Sequence, residues 1–160
     1  MSGSKKILMN KCYFLILCLV TVQLNSCTKD DTILIKMKQG LLINKKWQLT
    51  SMSVKTANGP LTNAYDSLPP FRKDDYFLFK NDSTYELNDH IDTMPGKNSK
   101  ILDAGSWKTN TSQTYLEMHS DLYNTTYNPA RIIELSATKL TLERIHPGDA
   151  SITVTIYKPL

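Results

Sequence analysis

From residue 46 to the C-terminus the chain alternates apolar and polar residues with a period of two, and this pattern constrains the fold more than any other feature. Phe77 and Phe79 alternate with Tyr76 and Leu78, Leu140 and Leu142 with Thr141 and Glu143, and Ile152, Val154 and Ile156 with Thr153 and Thr155. Such alternation marks strands with one buried face. The runs predict eight strands, at roughly 46–56, 74–80, 84–90, 101–109, 114–120, 129–136, 139–146 and 151–158. No long helical pattern separates any two of them, which argues against parallel βαβ units. Tight turns at Asn81-Asp82, Thr111-Ser112 and Ala137-Thr138 alternate with longer connections near 57–73, 90–100, 121–128 and 147–150. In a meander, alternate connections lie at the same end, so the long loops would surround one mouth and the tight turns would close the other. A Greek-key sandwich does not give this regularity so simply, and closing the meander removes its exposed edges. The expected fold is all-β: an eight-stranded antiparallel up-and-down barrel with a short N-terminal helix. That helix is expected at 32–43, where Ile33, Leu34, Met37 and Leu41 share a face.

The N-terminus has a different character. Lys5, Lys6 and Lys11 precede an apolar run from Cys12 to Val22. A basic start with a short apolar core reads as a secretory signal peptide, and the run is shorter than the roughly 20 residues of a transmembrane helix. Leu24-Asn25-Ser26-Cys27 resembles the bacterial lipobox, which implies cleavage before Cys27 and lipid on its thiol and new amino group. Two or three acyl chains anchor stably where one is marginal. The following Lys29-Asp30-Asp31 resembles the surface-export signal of Bacteroidetes lipoproteins. The expected organisation is a signal peptide at 1–26, a lipidated tether at 27–31 and a barrel domain at 32–160. The expected location is the outer membrane, lipid-anchored and displayed at the cell surface.

Removing the signal peptide changes the charge. The chain has 19 basic and 15 acidic side chains, and three lysines but no acid leave with residues 1–26. The near-neutral remainder lacks the basic footprint of a nucleic-acid binder. Cys12 and Cys18 leave too, so Cys27 is the one cysteine left of three. An internal disulfide, a thiolate metal site and a thiol nucleophile are excluded.

Four segments carry a family resemblance: Leu42 to Leu49 opening the first strand, Phe79 to Tyr85 across a hairpin, Gly105-Ser106-Trp107-Lys108, and Leu135 to Leu142. In this order the chain resembles the lipocalin-like domain lipoproteins of Bacteroidetes. The resemblance implies a binding barrel or an accessory module.

Signs of catalysis are lacking. His90, His119 and His146 have no partners at metal-ligand spacing. There is no nucleophile elbow and no glycine-rich phosphate loop. Catalytic residues, cofactor and metal are therefore all expected to be none. Strand parity gives the candidate binding residues. If Leu140 and Leu142 face inward, so does Arg144, and if Ile133 and Leu135 do, so does Arg131. Tyr85 and Leu87 bring Asp89 inward, and Gly105 and Trp107 bring Asp103. With Phe77, Tyr85 and Trp107 these four charged residues form the expected ligand-binding set, and a polar mouth follows because buried charge must be paired or solvated. One bulge would reverse a strand's parity. Two functions are expected in turn: binding of a small hydrophobic or amphipathic ligand at the open end, or docking of a protein partner through the long loops. The loop at 57–73, with Leu61, Tyr65, Leu68 and Phe71, suits either.

Overall fold

The structure, a computed structural model, describes residues 38–90 and 100–160. The expected signal peptide, Cys27, the tether and the first part of the expected helix lie outside the described residues. Residues 38–42 are helical and lead directly into the first strand.

Ten strands follow: β1 (Lys46–Lys55), β2 (Leu61–Asn63), β3 (Tyr76–Phe79), β4 (Thr84–Asn88), β5 (Ile101–Thr109), β6 (Tyr115–Ser120), β7 (Thr125–Thr126), β8 (Ala130–Leu135), β9 (Leu140–His146) and β10 (Ser151–Pro159). Eight of them make a closed antiparallel ring in the order β1-β3-β4-β5-β6-β8-β9-β10, and β10 pairs back onto β1. All eight expected strands are present within two residues of their expected bounds. The two short additions are accessory, β2 folding back on β1 and β7 on β6.

Each tight turn is fixed by local hydrogen bonds. In the β3–β4 turn Ser83 takes a positive φ of 66°, and the Asp82 carboxyl accepts from the Thr84 N–H at 3.0 Å and its hydroxyl at 2.6 Å. In the β5–β6 turn Gln113 takes a φ of 53°, and Asn110 Oδ1 accepts the N–H groups of Thr114 and Tyr115. Short polar side chains that bond nearby backbone are what such turns require. The described residues of the longer connections lie at the other end.

The closed half of the barrel is packed solid. Trp47, Phe79, Tyr85, Leu116 and Leu140 are almost wholly buried, with Trp107, Met118 and Leu142 beside them. Aromatic side chains each bury about 150–250 Å², so a few of them fill the narrow interior of an eight-stranded barrel. Phe79 meets Trp107 edge-on, with ring centroids 5.6 Å apart. Leu42 closes this end from outside the ring, and its carbonyl accepts the Trp47 indole N–H at 2.8 Å. The end of the expected helix therefore plugs the tight-turn end.

β8 departs from its expected parity, and β10 turns the more polar of its two faces inward. β8 shifts register between Ile132 and Glu134. Because of this bulge Ala130 and Ile132 face the interior while Ile133 is 47% exposed. In β10 the inward face consists of Thr153, Thr155 and Tyr157, because these pair with Arg144, Leu142 and Leu140 on the inward face of β9. The Ile152, Val154 and Ile156 face points outward.

Candidate functional site

The mouth half of the barrel is packed more loosely than the closed half. Phe77 on β3 and Tyr157 on β10 are only partly buried, and their rings meet edge-on at 5.9 Å. Phe77 also stacks on Phe79 at 5.8 Å. Together they form an aromatic floor over the packed half. Above it, on the β9–β10 side, lies a cavity of about 80 Å³ lined by Arg144, His146, Thr153, Thr155 and Tyr157, with Ala130 and Leu142 as its apolar wall. Burial pushes the Tyr157 phenol above its ordinary pKa, and the hydrogen bond with Thr155 and then the nearby Arg144 charge oppose that shift.

The structure brings only some of the expected binding residues together. Arg144 faces the interior as expected. Its Nε donates to the Asn128 carbonyl at 3.0 Å, and its guanidinium lies 5.7 Å from the centre of the Tyr127 ring. Arg131 does not face the interior. The β8 bulge turns it outward, where it pairs with Glu143 across the strands, 2.9 Å from Nη2. The expectation of two inward arginines is corrected to one.

Asp103 faces inward, but other groups occupy it. Its carboxyl accepts from the Tyr85 hydroxyl at 2.6 Å, the Ser120 hydroxyl at 2.5 Å, the Tyr127 hydroxyl at 2.9 Å and the Ala104 N–H at 2.9 Å. Neither arginine takes part in this network, which ties Tyr127 of the β6–β8 connection to β5. Burial, then the hydrogen bond and charge of Asp103, push the phenols of Tyr85 and Tyr127 above their ordinary range. Tyr85 and Trp107 both lie in the packed half, and the Trp107 indole donates to the Lys80 carbonyl at 3.2 Å.

Asp89 is buried at the rim where β3 and β4 reach the mouth, and there it meets Asp74 and Asp75. Carboxyl oxygens of the three lie within 4.8 Å of one another. Asp75 is 7% exposed, and its pKa is raised from 3.8 to about 6. Burial is the main cause; Arg72, 3.6 Å away, opposes it, and Asp89 and Asp74 add to it. A cation would suit these oxygens, but no second feature points to one.

Reading the sequence located Arg144 and Phe77 but missed His146, Thr153, Thr155 and Tyr157. His146 was within reach, since it shares the parity of Leu140, Leu142 and Arg144. The inward threonines of β10 were hidden by the more apolar opposite face.

A profile of the lipocalin-like domain matches residues 43–142. The chain belongs to the family of lipocalin-like domains. No curated protein matches it. The matched stretch covers β1 through Leu142 of β9, and the closed ring of eight antiparallel strands is the fold the family implies. Lipocalin-like barrels are in general binding folds rather than catalytic ones, and a small-molecule site inside the ring is consistent with that.

Proposed function

We propose that this lipocalin-like chain is a membrane-anchored lipoprotein, displayed at the cell surface, whose barrel takes the end of a small hydrophobic or amphipathic molecule at its open mouth. The observation that carries the binding reading is the contrast between the two halves of the interior. The tight-turn half is filled by Trp47, Phe79, Tyr85 and Trp107, whereas Phe77 and Tyr157 at the mouth remain partly exposed beside a cavity. A few polar groups converging on an apolar floor are the usual make-up of a small-molecule site. Native mass spectrometry of the protein purified from its own membrane tests this. A bound small molecule should appear with the wild type and be lost from Phe77→Arg, whose charge would stand on the floor. Release of no small molecule from the wild type would count against the reading.

The anchoring rests on the sequence before the barrel. Cys27→Ala should abolish labelling by a fatty-acid analogue and leave the precursor uncut, and continued labelling would end that part of the proposal. Replacing Lys29, Asp30 and Asp31 with alanine should reduce accessibility to external protease while labelling persists.

The loops support a second reading, docking of a protein partner. Leu61, Leu122 and Tyr123 on the long connections are 56%, 60% and 59% exposed. Large apolar side chains at loop tips suit a partner surface. Leu122→Asp with Tyr123→Asp should abolish crosslinking to such a partner while leaving any small-molecule occupancy intact.

A further inference from the structure

The β9–β10 wall of the mouth offers hydrogen-bond donors and a positive charge, with no carboxyl group among them. Arg144, His146, Thr153, Thr155 and Tyr157 supply the polar lining of the 80 Å³ cavity. Among the described residues the ion pairs link Arg72, Lys80, Lys108, His119, Arg131 and Lys139 to acidic partners, and Arg144 is in none of them. What holds its guanidinium is neutral: the Asn128 carbonyl at Nε and the face of Tyr127. Its position is therefore fixed by neutral groups, and among the described residues its charge has no ion-pair partner. One acidic residue stands near this wall: Asp149, on the exposed β9–β10 turn, accepts the Ser151 N–H at 2.9 Å and its charge acts on His146, and it forms no ion pair with Arg144. The other acidic residues of the described mouth lie elsewhere. Asp74, Asp75 and Asp89 cluster at the β3–β4 rim, across the ring from β9, and Asp103 is occupied by hydroxyls.

We infer that this pocket binds the carboxylate end group of a small amphipathic ligand, with Arg144 as its counter-ion. The inference rests on the reading of the mouth as a small-molecule site. A single guanidinium matches the single charge of a carboxylate better than the nearly double charge of a phosphate monoester. Its planar fork can donate two parallel hydrogen bonds to a carboxylate. The Thr153 hydroxyl is held by His146 Nε2 at 3.0 Å and the Thr155 hydroxyl bonds Tyr157, so these groups form a connected polar lining behind the guanidinium, and the volume admits a head group and the first carbons of its stem. Ala130 and Leu142 meet that stem, and the remainder leaves over the aromatic floor.

Calorimetric titration of the purified full chain with octanoate, octanol and octylamine tests the inference. Octanoate is expected to bind roughly ten- to a hundredfold more tightly than octanol, the range of a charge-assisted hydrogen-bonded pair, and octylamine more weakly than either. Arg144→Gln should bring octanoate down to the affinity of octanol without changing octanol binding, and Arg144→Lys should retain part of the preference. Arg131→Gln, on the outer face, should leave all three affinities unchanged. Circular dichroism and octanol binding report whether each variant is folded. Equal binding of octanoate and octanol by the wild type would overturn the carboxylate assignment and leave the mouth reading standing. A preference that survives Arg144→Gln would overturn the role of Arg144. Failure of all three probes to bind would overturn the inference together with the mouth reading.

Discussion

Gly105 has no room for a β-carbon. One built there would lie 1.9 Å from the carbonyl oxygen of His119 and 3.0 Å from the N–H nitrogen of Asp121, both backbone atoms. The neighbouring strand cannot retreat, because Asp121 N–H donates to the Ala104 carbonyl at 2.9 Å and Ser120 holds Asp103. Gly105→Ala should therefore push β5 and β6 apart and destabilise the fold by on the order of 1–3 kcal/mol. Urea denaturation measures this, and an unchanged midpoint would show that the strands can give way. Asp75 provides a second residue-level prediction, through pH. Its pKa of about 6 in the folded protein lies above its ordinary value of 3.8, so the fold favours the protonated acid. The contribution to stability is complete below about pH 4 and is lost as pH rises through 6, on the order of 2–3 kcal/mol in all. Asp75→Asn removes this dependence. The variant should gain stability relative to wild type between pH 4 and 7, and a difference that stays flat across that range would refute the burial cost.

At the level of elements, what the sequence reveals depends on what each pattern reports. Strand existence and turn position were legible, because period-two alternation and the Asn81-Asp82, Thr111-Ser112 and Ala137-Thr138 turns are local chemistry. Strand facing was legible where large residues mark the core, as for Phe79, Tyr85, Trp107 and Leu140. It failed at β8, where the bulge between Ile132 and Glu134 puts Ala130 and Ile132 inside and Arg131 outside. Nothing in Arg131-Ile132-Ile133-Glu134-Leu135 signals that extra residue, since both parities present an isoleucine. It also failed to reveal the inward face of β10, where pairing with β9 fixes the facing and outweighs the greater hydrophobicity of Ile152, Val154 and Ile156. β2 and β7, at three and two residues, are too short to leave a periodic signal and exist because β1 and β6 present edges to them. The candidate site inherits these limits. Arg144 was found because its strand has no bulge, whereas the Tyr85–Asp103–Tyr127 network joins three separate segments and has no signature along the chain.

For the whole molecule, closure depends on the last strand. β10 pairs with β1 from Trp47 opposite Pro159 to Lys55 opposite Ile152, and the Leu160 N–H donates to the Lys46 carbonyl at 2.9 Å. The two strands that complete the ring thus come from opposite ends of the domain sequence, and such non-local pairing makes folding slow, in the range of milliseconds to seconds. Deleting residues 157–160 should be far costlier than their number suggests. Tyr157 would vanish from the floor, where it meets Phe77, and Trp47 and Leu49 would lose their partners on β10. A fully buried aromatic contributes about 3–5 kcal/mol; the partly buried Tyr157 contributes less, but its loss comes together with that of the closing strand pairing, against the roughly 5–15 kcal/mol that holds a domain together. The freed edge of β1 would also invite pairing between molecules. The truncated chain should show a red-shifted tryptophan emission as Trp47 meets water, a lost or broadened urea transition and a tendency to aggregate. Tyr157→Phe, which keeps the ring and the strand, should retain the wild-type emission and transition. A truncated protein with an intact cooperative transition would mean that the remaining seven strands hold the barrel without the closing strand's end.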